Sequence, residues 1–281
     1  MRLKVEKNLE LDVAKFTDFF FESKRRQLKE FMLRSYSSLR EIKTKKQIKD
    51  FVNRLYKKFR TKIDSVTKEL KDIIKKIDLK VFSEIESLLN EKFDQDIFVY
   101  PTMLPMSPYG KNYFNLSIMY NVLGNKPLDS EKILSGSIHE LSHLLFIKKI
   151  KRLFKCKSLK EIADKKGISL RSLDGLKEIY APIIQNHPKM KKYFPNKVVG
   201  NSEYSLIKIE YKGLLLTIED FFIGKYRELE KKRLNRDQID KEIFKILKKI
   251  DKEFSEKLTI YNTVNQKEFI KKGLYNPIKF K

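Results

Sequence analysis

Two histidines four residues apart, with a glutamate directly after the first, form the run His139-Glu140-Leu141-Ser142-His143. On a helix of 3.6 residues per turn, positions i and i+4 share a face. Both imidazoles can therefore reach one metal ion, while Glu140 flanks the open coordination position. A Zn²⁺ ion held by two neutral imidazoles and a third ligand brings the pKa of its remaining water to about 7. Glu140 can then act as general base, and the ion also polarises a carbonyl oxygen. With three His and 22 Glu in 281 residues, composition alone would produce this spacing about 0.002 times per chain. The competing reading is a pair of partly buried histidines satisfied by carbonyls or carboxylates, with no metal.

Around this motif, from Ile97 to Pro188, the sequence resembles the zincin metallopeptidases. The resemblance implies an α+β, mostly helical fold with a small β-sheet, flanked by long helices. It also implies an edge strand running beside the active-site helix, one Zn²⁺ per chain, and hydrolysis of peptide bonds in a peptide or protein substrate, with zinc-bound water activated by Glu140. The segment LLFIKKIKRLF after His143 lacks the Gly and third His of the metzincin pattern. The gluzincins instead use a Glu from a later helix, and two residues compete for that role. Glu178 lies in GLKEIYAPII, where Leu176, Glu178, Tyr180 and Ala181 fall in register with the third-ligand segment of aminopeptidase-like gluzincins. Glu161, in SLKEIADKK, is nearer the family's spacing. Glu178 is favoured because Ile179, Tyr180, Ile183 and Ile184 supply a drier shell than Lys157, Lys160, Lys165 and Lys166. The resemblance also implies a Tyr or His donor to the transition state. The candidates are Tyr180, His187, Tyr204 and Tyr211, each of which also reads as a packing residue.

The elements that must position these groups are legible in outline. A helix is expected over the motif, with Asp129 or Ser130 as its N-cap and Ile133, Leu134, Ile138, Leu141, Leu144 and Leu145 on its buried side. Before it, Phe114, Leu116, Ile118 and Tyr120 alternate as in a half-buried strand. YFNLSIMY is thus either the peptide-binding edge strand or an ordinary core strand, and MLPMSPYG either caps a cleft or makes a turn. From Leu11 to about Asn90, apolar residues recur three and four apart, as at Ile63, Val66, Leu70, Ile73, Ile74 and Ile77, so this region is helical. The expected division is an N-terminal helical region (1–96), a zincin-like catalytic core (97–190) and a C-terminal helical region (191–281), packed together as one unit.

The chain carries 62 Lys plus Arg against 37 Asp plus Glu, a net charge of +25. Residues 1–96 hold 25 basic against 17 acidic residues, 97–147 three against three, and 148–281 34 against 17. The motif therefore sits in the neutral stretch. Lys outnumbers Arg by 50 to 12, which suits a solvated exterior better than bidentate phosphate recognition. A basic DNA-binding protein, with or without peptidase activity, is the alternative. Residues 158–175 read as a helix-turn-helix with Ala163 in the first helix, Gly167 at the turn and Ile168 and Leu173 packing the second, and Lys165, Lys166 and Arg171 are available to phosphates. A zincin scaffold with a blocked cleft is a third reading. The lone Cys156 supports neither a disulfide nor a Cys-rich zinc site. Apolar runs fall far short of the ~20 residues of a membrane span, so a cytoplasmic protein is expected.

Overall fold

A computed structural model of the chain describes residues 1–22, 26–264 and 266–280. In chain order the elements are β1 (Leu3–Val5), α1 (Leu9–Thr17), α2 (Arg26–Ser35), α3 (Lys45–Lys58), α4 (Arg60–Lys75), α5 (Lys80–Leu89), β2 (Ile97–Thr102), β3 (Tyr113–Ser117), α6 (Met119–Gly124) and α7 (Ser130–Phe154). They continue with α8 (Leu159–Lys166), α9 (Leu170–Gln185), α10 (Ser202–Leu206), β4 (Lys208–Tyr211), β5 (Leu214–Thr217), α11 (Ile218–Lys231), α12 (Arg236–Thr263), α13 (Gln266–Tyr275) and β6 (Ile278–Lys279). The fold is a mostly helical α+β fold, with two three-stranded sheets where the sequence suggested one.

The chain forms two compact units, Met1–Asp78 with Asp94–Ser137, and Leu79–Phe93 with Ile138–Lys281. The compositional boundaries at 97 and 190 fall inside these units. The reason lies in α5, which belongs with residues far along the chain. The Tyr226 hydroxyl donates to Leu88 O (3.3 Å), and Arg152 binds Glu91 (2.8 Å) and Asn90 O (3.3 Å).

In the first unit, β1, β2 and β3 form an all-parallel sheet, with Leu3 opposite Ile97 and Val99 opposite Phe114. The three-residue β1 has no periodicity to announce it. The buried carboxylate of Asp12, on α1, accepts from Thr102 Oγ1 (2.6 Å), the Tyr56 hydroxyl (2.5 Å) and Met103 N (3.1 Å). It thereby ties α1 to α3 and to the end of β2. Around it, Phe16, Met32, Leu39, Ile48 and Val52 are fully buried.

β3 is shorter than the alternation predicts. Ile118 and Tyr120 belong to the start of α6, because the amides of Asn121 and Val122 turn back onto Ile118 O. Nor do its faces alternate, since Phe114, Asn115 and Leu116 are all buried. β2 pairs with one edge of β3, and the chain's own MLPMSPYG segment covers the other. Asn115 N donates to Pro108 O (2.7 Å), Gly110 N donates to Tyr113 O (2.9 Å), and Tyr109 bridges Phe114 in antiparallel fashion.

The second unit holds the motif part of α7. Asp129 is the N-cap of α7, accepting from the amides of Glu131 (3.0 Å) and Lys132 (3.2 Å). Ile133, Ile138, Leu141 and Leu145 are buried as the spacing predicts, while Leu134 and Leu144 are half-buried. α8 stops at Gly167, whose φ of 61° is a left-handed conformation that favours glycine. α9 starts at Ser169, whose hydroxyl accepts from Ser172 N (3.0 Å). α9 lies close against α12 at Gly175, where a Cβ would come within 2.8 Å of Phe254 and 2.9 Å of Leu258. The second sheet has the order β5-β4-β6. No described helix is long and apolar enough to cross a membrane.

Candidate metal centre

One turn of α7 brings the His139 and His143 rings face to edge, with centroids 4.5 Å apart. Metal-capable atoms of His139, Glu140 and His143 lie within 4.8 Å of one another. α9 contributes Glu178. Its Oε2 stands 3.4 Å from His139 Nε2 and 3.2 Å from His143 Nε2, so a single carboxylate oxygen faces both imidazole nitrogens. Glu161 is elsewhere. It is exposed and closes the first turn of α8, its carboxylate accepting from Lys157 N (2.7 Å) while its amide donates to Ser158 Oγ (3.1 Å). Ser-x-x-Glu is a capping-box spacing, a signal present in SLKE from the outset.

The remaining contacts of Glu178 fix its orientation. Oε1 pairs with the ammonium of Lys177 (2.9 Å), which also binds Asp174 (2.8 Å), and Oε2 accepts from Asn201 Nδ2 (2.9 Å). Neither partner was marked by sequence reasoning, although Lys177 is the adjacent residue. Burial pushes the Glu178 carboxyl up, but the His143 ring, the Lys177 ammonium and the hydrogen bonds of both histidines more than reverse this and hold it well below the ordinary carboxylate range. Burial also brings His143 down to about 4, which favours the neutral ring. Glu140 is pushed well above its ordinary range by burial first and by Glu178 second. Its Oε2 is buried and makes no hydrogen bond to any described group. Two imidazoles on one helix face, one carboxylate oxygen facing both and an adjacent buried carboxyl oxygen without a partner among the described residues are a donor set that fits Zn²⁺.

Of the four candidate transition-state donors, one lies near this cluster. Tyr204, on α10, is 4% exposed. Its hydroxyl, hydrogen-bonded to the Glu203 carboxylate, is held well above the usual range by burial and then by the Glu203 and Glu178 carboxylates. Tyr180 points the other way, packing on Phe146 (4.2 Å between centroids) and donating its hydroxyl to Asp240. Asp240 also pairs with Lys149, and both are fully buried. His187 accepts Lys189 N at Nδ1 (3.2 Å), so Nε2 carries the proton that it offers to Glu230 (3.0 Å). Tyr211 lies among Phe221, Phe280 and Lys225.

Glu219 was also missed. It sits at the start of α11 and is 3% exposed. Its two oxygens accept from Gly200 N at 3.3 and 3.0 Å, one residue before Asn201.

The helix-turn-helix outline at 158–175 exists as α8, Gly167 and α9. However, α9 is buried from Ser172 to Gln185 apart from half-buried Asp174 and Glu178, which leaves only its first turn, Leu170 and Arg171, exposed. The basic side chains are engaged locally. Lys165 donates to Phe154 O (2.9 Å), Lys166 lies over the Phe154 ring (3.9 Å), and Arg171 reaches Leu258 O (3.4 Å).

Compared with known protein families, curated proteins and solved structures, the chain matches none.

Proposed function

We propose that the chain is a zinc-dependent peptidase in which His139, His143 and Glu178 hold one Zn²⁺ and Glu140 is the general base. The observation that carries this reading is the position of Glu178 Oε2, aimed at both imidazole Nε2 atoms from a separate helix. When bound, Zn²⁺ supplies Lewis acidity, polarising a substrate carbonyl and making a water easier to deprotonate.

The protein's own groups do the rest. Lys177 and Asn201 keep the Glu178 carboxylate turned towards the histidines. Glu140 takes a proton from the attacking water as its oxygen bonds to the carbonyl carbon. When the C–N bond breaks, Glu140 returns that proton to the leaving nitrogen. Tyr204 is the residue proposed to donate a hydrogen bond to the developing oxyanion. The buried Oε2 of Glu140, without a partner among the described residues, supports this reading beside the metal-free one, in which the Glu178 carboxylate satisfies the two histidines.

Metal titration tests the ligand assignment. The purified protein is expected to bind about one Zn²⁺ per chain, removable by chelator. Glu178→Ala should weaken binding by 10–100-fold or more, on the order of the loss of a ligand or its outer partner, and Glu161→Gln should leave it unchanged. Equal zinc affinity in the Glu178→Ala variant overturns the assignment.

A further inference from the structure

An extended peptide can add to a sheet only where backbone N–H and C=O groups are unpaired. β3 offers no such edge, because Ser107–Gly110 already occupies it. β5 does. It is the outer strand of the sheet β5-β4-β6, and β4 alone pairs with it.

Which groups are open follows from the hairpin. Lys212 and Gly213, with φ of 50° and 75°, make a two-residue turn of the mirror-image type common in hairpins. Tyr211 and Leu214 close that turn as a hydrogen-bonded pair, so Ile209 and Leu216 form the next bonded pair, while Glu210 and Leu215 face each other without bonds. The N–H and C=O of Leu215 therefore point away from β4, and among the described residues nothing bonds to them.

The edge is also placed and shaped for a ligand. Leu214 and Leu215 are 61% and 53% exposed. β5 runs into Thr217, the N-cap of α11, two residues before Glu219. Glu219 holds Gly200, and the neighbouring Asn201 holds Glu178. Ile218 N donates to Ile207 O (2.8 Å), next to the end of α10, which carries Tyr204. The open strand is thus connected to the ligand Glu178 within one unit through Thr217, Glu219, Gly200 and Asn201. Charge selects the partner. The chain is at +25, and Lys208 and Lys212 flank the single Glu210 on this hairpin.

We propose that β5 is the edge to which an extended, acidic, leucine-containing peptide adds as a fourth strand, presenting itself to the metal centre. The inference rests on the peptidase reading for its functional meaning, but its test does not. A proline at position 215 removes an N–H that β4 does not use and is tolerated at a sheet edge, so Leu215→Pro should spare the hairpin. The probe is fluorescein-labelled Glu-Leu-Asp-Leu-Glu, read by anisotropy in the Glu140→Gln background with and without added Zn²⁺, where no hydrolysis is expected.

The probe is expected to bind more tightly than its Lys-Leu-Lys-Leu-Lys counterpart. Leu215→Pro should weaken binding about tenfold, the scale of a lost backbone hydrogen bond, and Leu215→Ala should weaken it less. Should the proline variant fail to fold, a probe N-methylated at its central residue poses the same question from the ligand side, with the same tenfold loss expected. No binding of the acidic probe, or equal binding by the proline variant or the N-methylated probe, overturns the proposal. Hydrolysis by the wild type with no effect of these changes sinks the β5 assignment and leaves the peptidase reading standing. Loss of binding without any hydrolysis does the reverse.

Discussion

The buried ion pair between Lys149 and Asp240 gives a sharp test of how the metal-binding helices are held. Lys149 lies on α7 beyond His143, and Asp240 is on α12. Both are fully buried, and Tyr180, two residues after Glu178 on α9, donates its hydroxyl to the same carboxylate. One carboxylate therefore links α7 and α9. In Lys149→Met it loses its cation while staying fully buried. Breaking a buried pair from one side costs about 3–5 kcal/mol, or a fall in melting temperature of roughly 10 °C for a unit of this size. Because charge burial is itself costly, Lys149→Met/Asp240→Leu should recover part of that loss, the Tyr180 hydroxyl left without its acceptor retaining about 1–3 kcal/mol of it. The assay is thermal or urea unfolding of both variants and of Asp240→Leu alone, assembled as a double-mutant cycle. A loss below about 1 kcal/mol in Lys149→Met, or a double variant no better than the single ones, would refute the reasoning.

Further outcomes follow from the same structure. Tyr204→Phe should keep zinc and lower kcat about a hundredfold, the scale of one oxyanion donor, whereas Tyr211→Phe should not change kcat; a Tyr204→Phe variant at full rate removes that residue from the chemistry. Asp12 carries a pKa raised by burial in spite of its three donors, so the folded first unit holds its proton more tightly than the unfolded chain. Its contribution is greatest at acid pH and is lost as pH rises through the folded pKa. The stability of the wild type relative to Asp12→Asn should therefore fall as pH rises from about 4, the ordinary Asp value, through the raised folded pKa in urea unfolding, and a flat difference contradicts this. Asp12→Ala strands three donors and should destabilise the protein by about 3 kcal/mol; a change under 1 kcal/mol would show that water replaces the carboxylate.

The parts of this molecule that are local in sequence were legible, and those set by distant partners were not. The α7 helix, its Asp129 cap and the meeting of His139 with His143 follow from a spacing of four and a run of apolar neighbours. Glu178 could be favoured over Glu161 because its neighbours are apolar, and SLKE also carried a capping-box spacing. Nothing near Lys149 distinguishes it from the solvated lysines of KKIKR, since its burial depends on Asp240, 91 positions away. The unit boundaries were hidden for the same reason, because α5 is claimed by Arg152 and Tyr226. β3 misled because alternation describes a strand with one open face, and both of its faces are covered. The helix-turn-helix outline is real as geometry. Its spacing cannot tell a protruding second helix from one packed at Gly175 against Phe254 and Leu258.

The measurement that bears most directly on the proposed function compares peptide hydrolysis by the zinc-loaded wild type and Glu140→Gln, with metal content determined on the same samples. Both proteins should hold about one zinc per chain, and only the wild type should cleave, with the variant slower by at least about a thousandfold. Equal cleavage by the two, or none by a wild type carrying its full complement of zinc, would contradict the role given to Glu140.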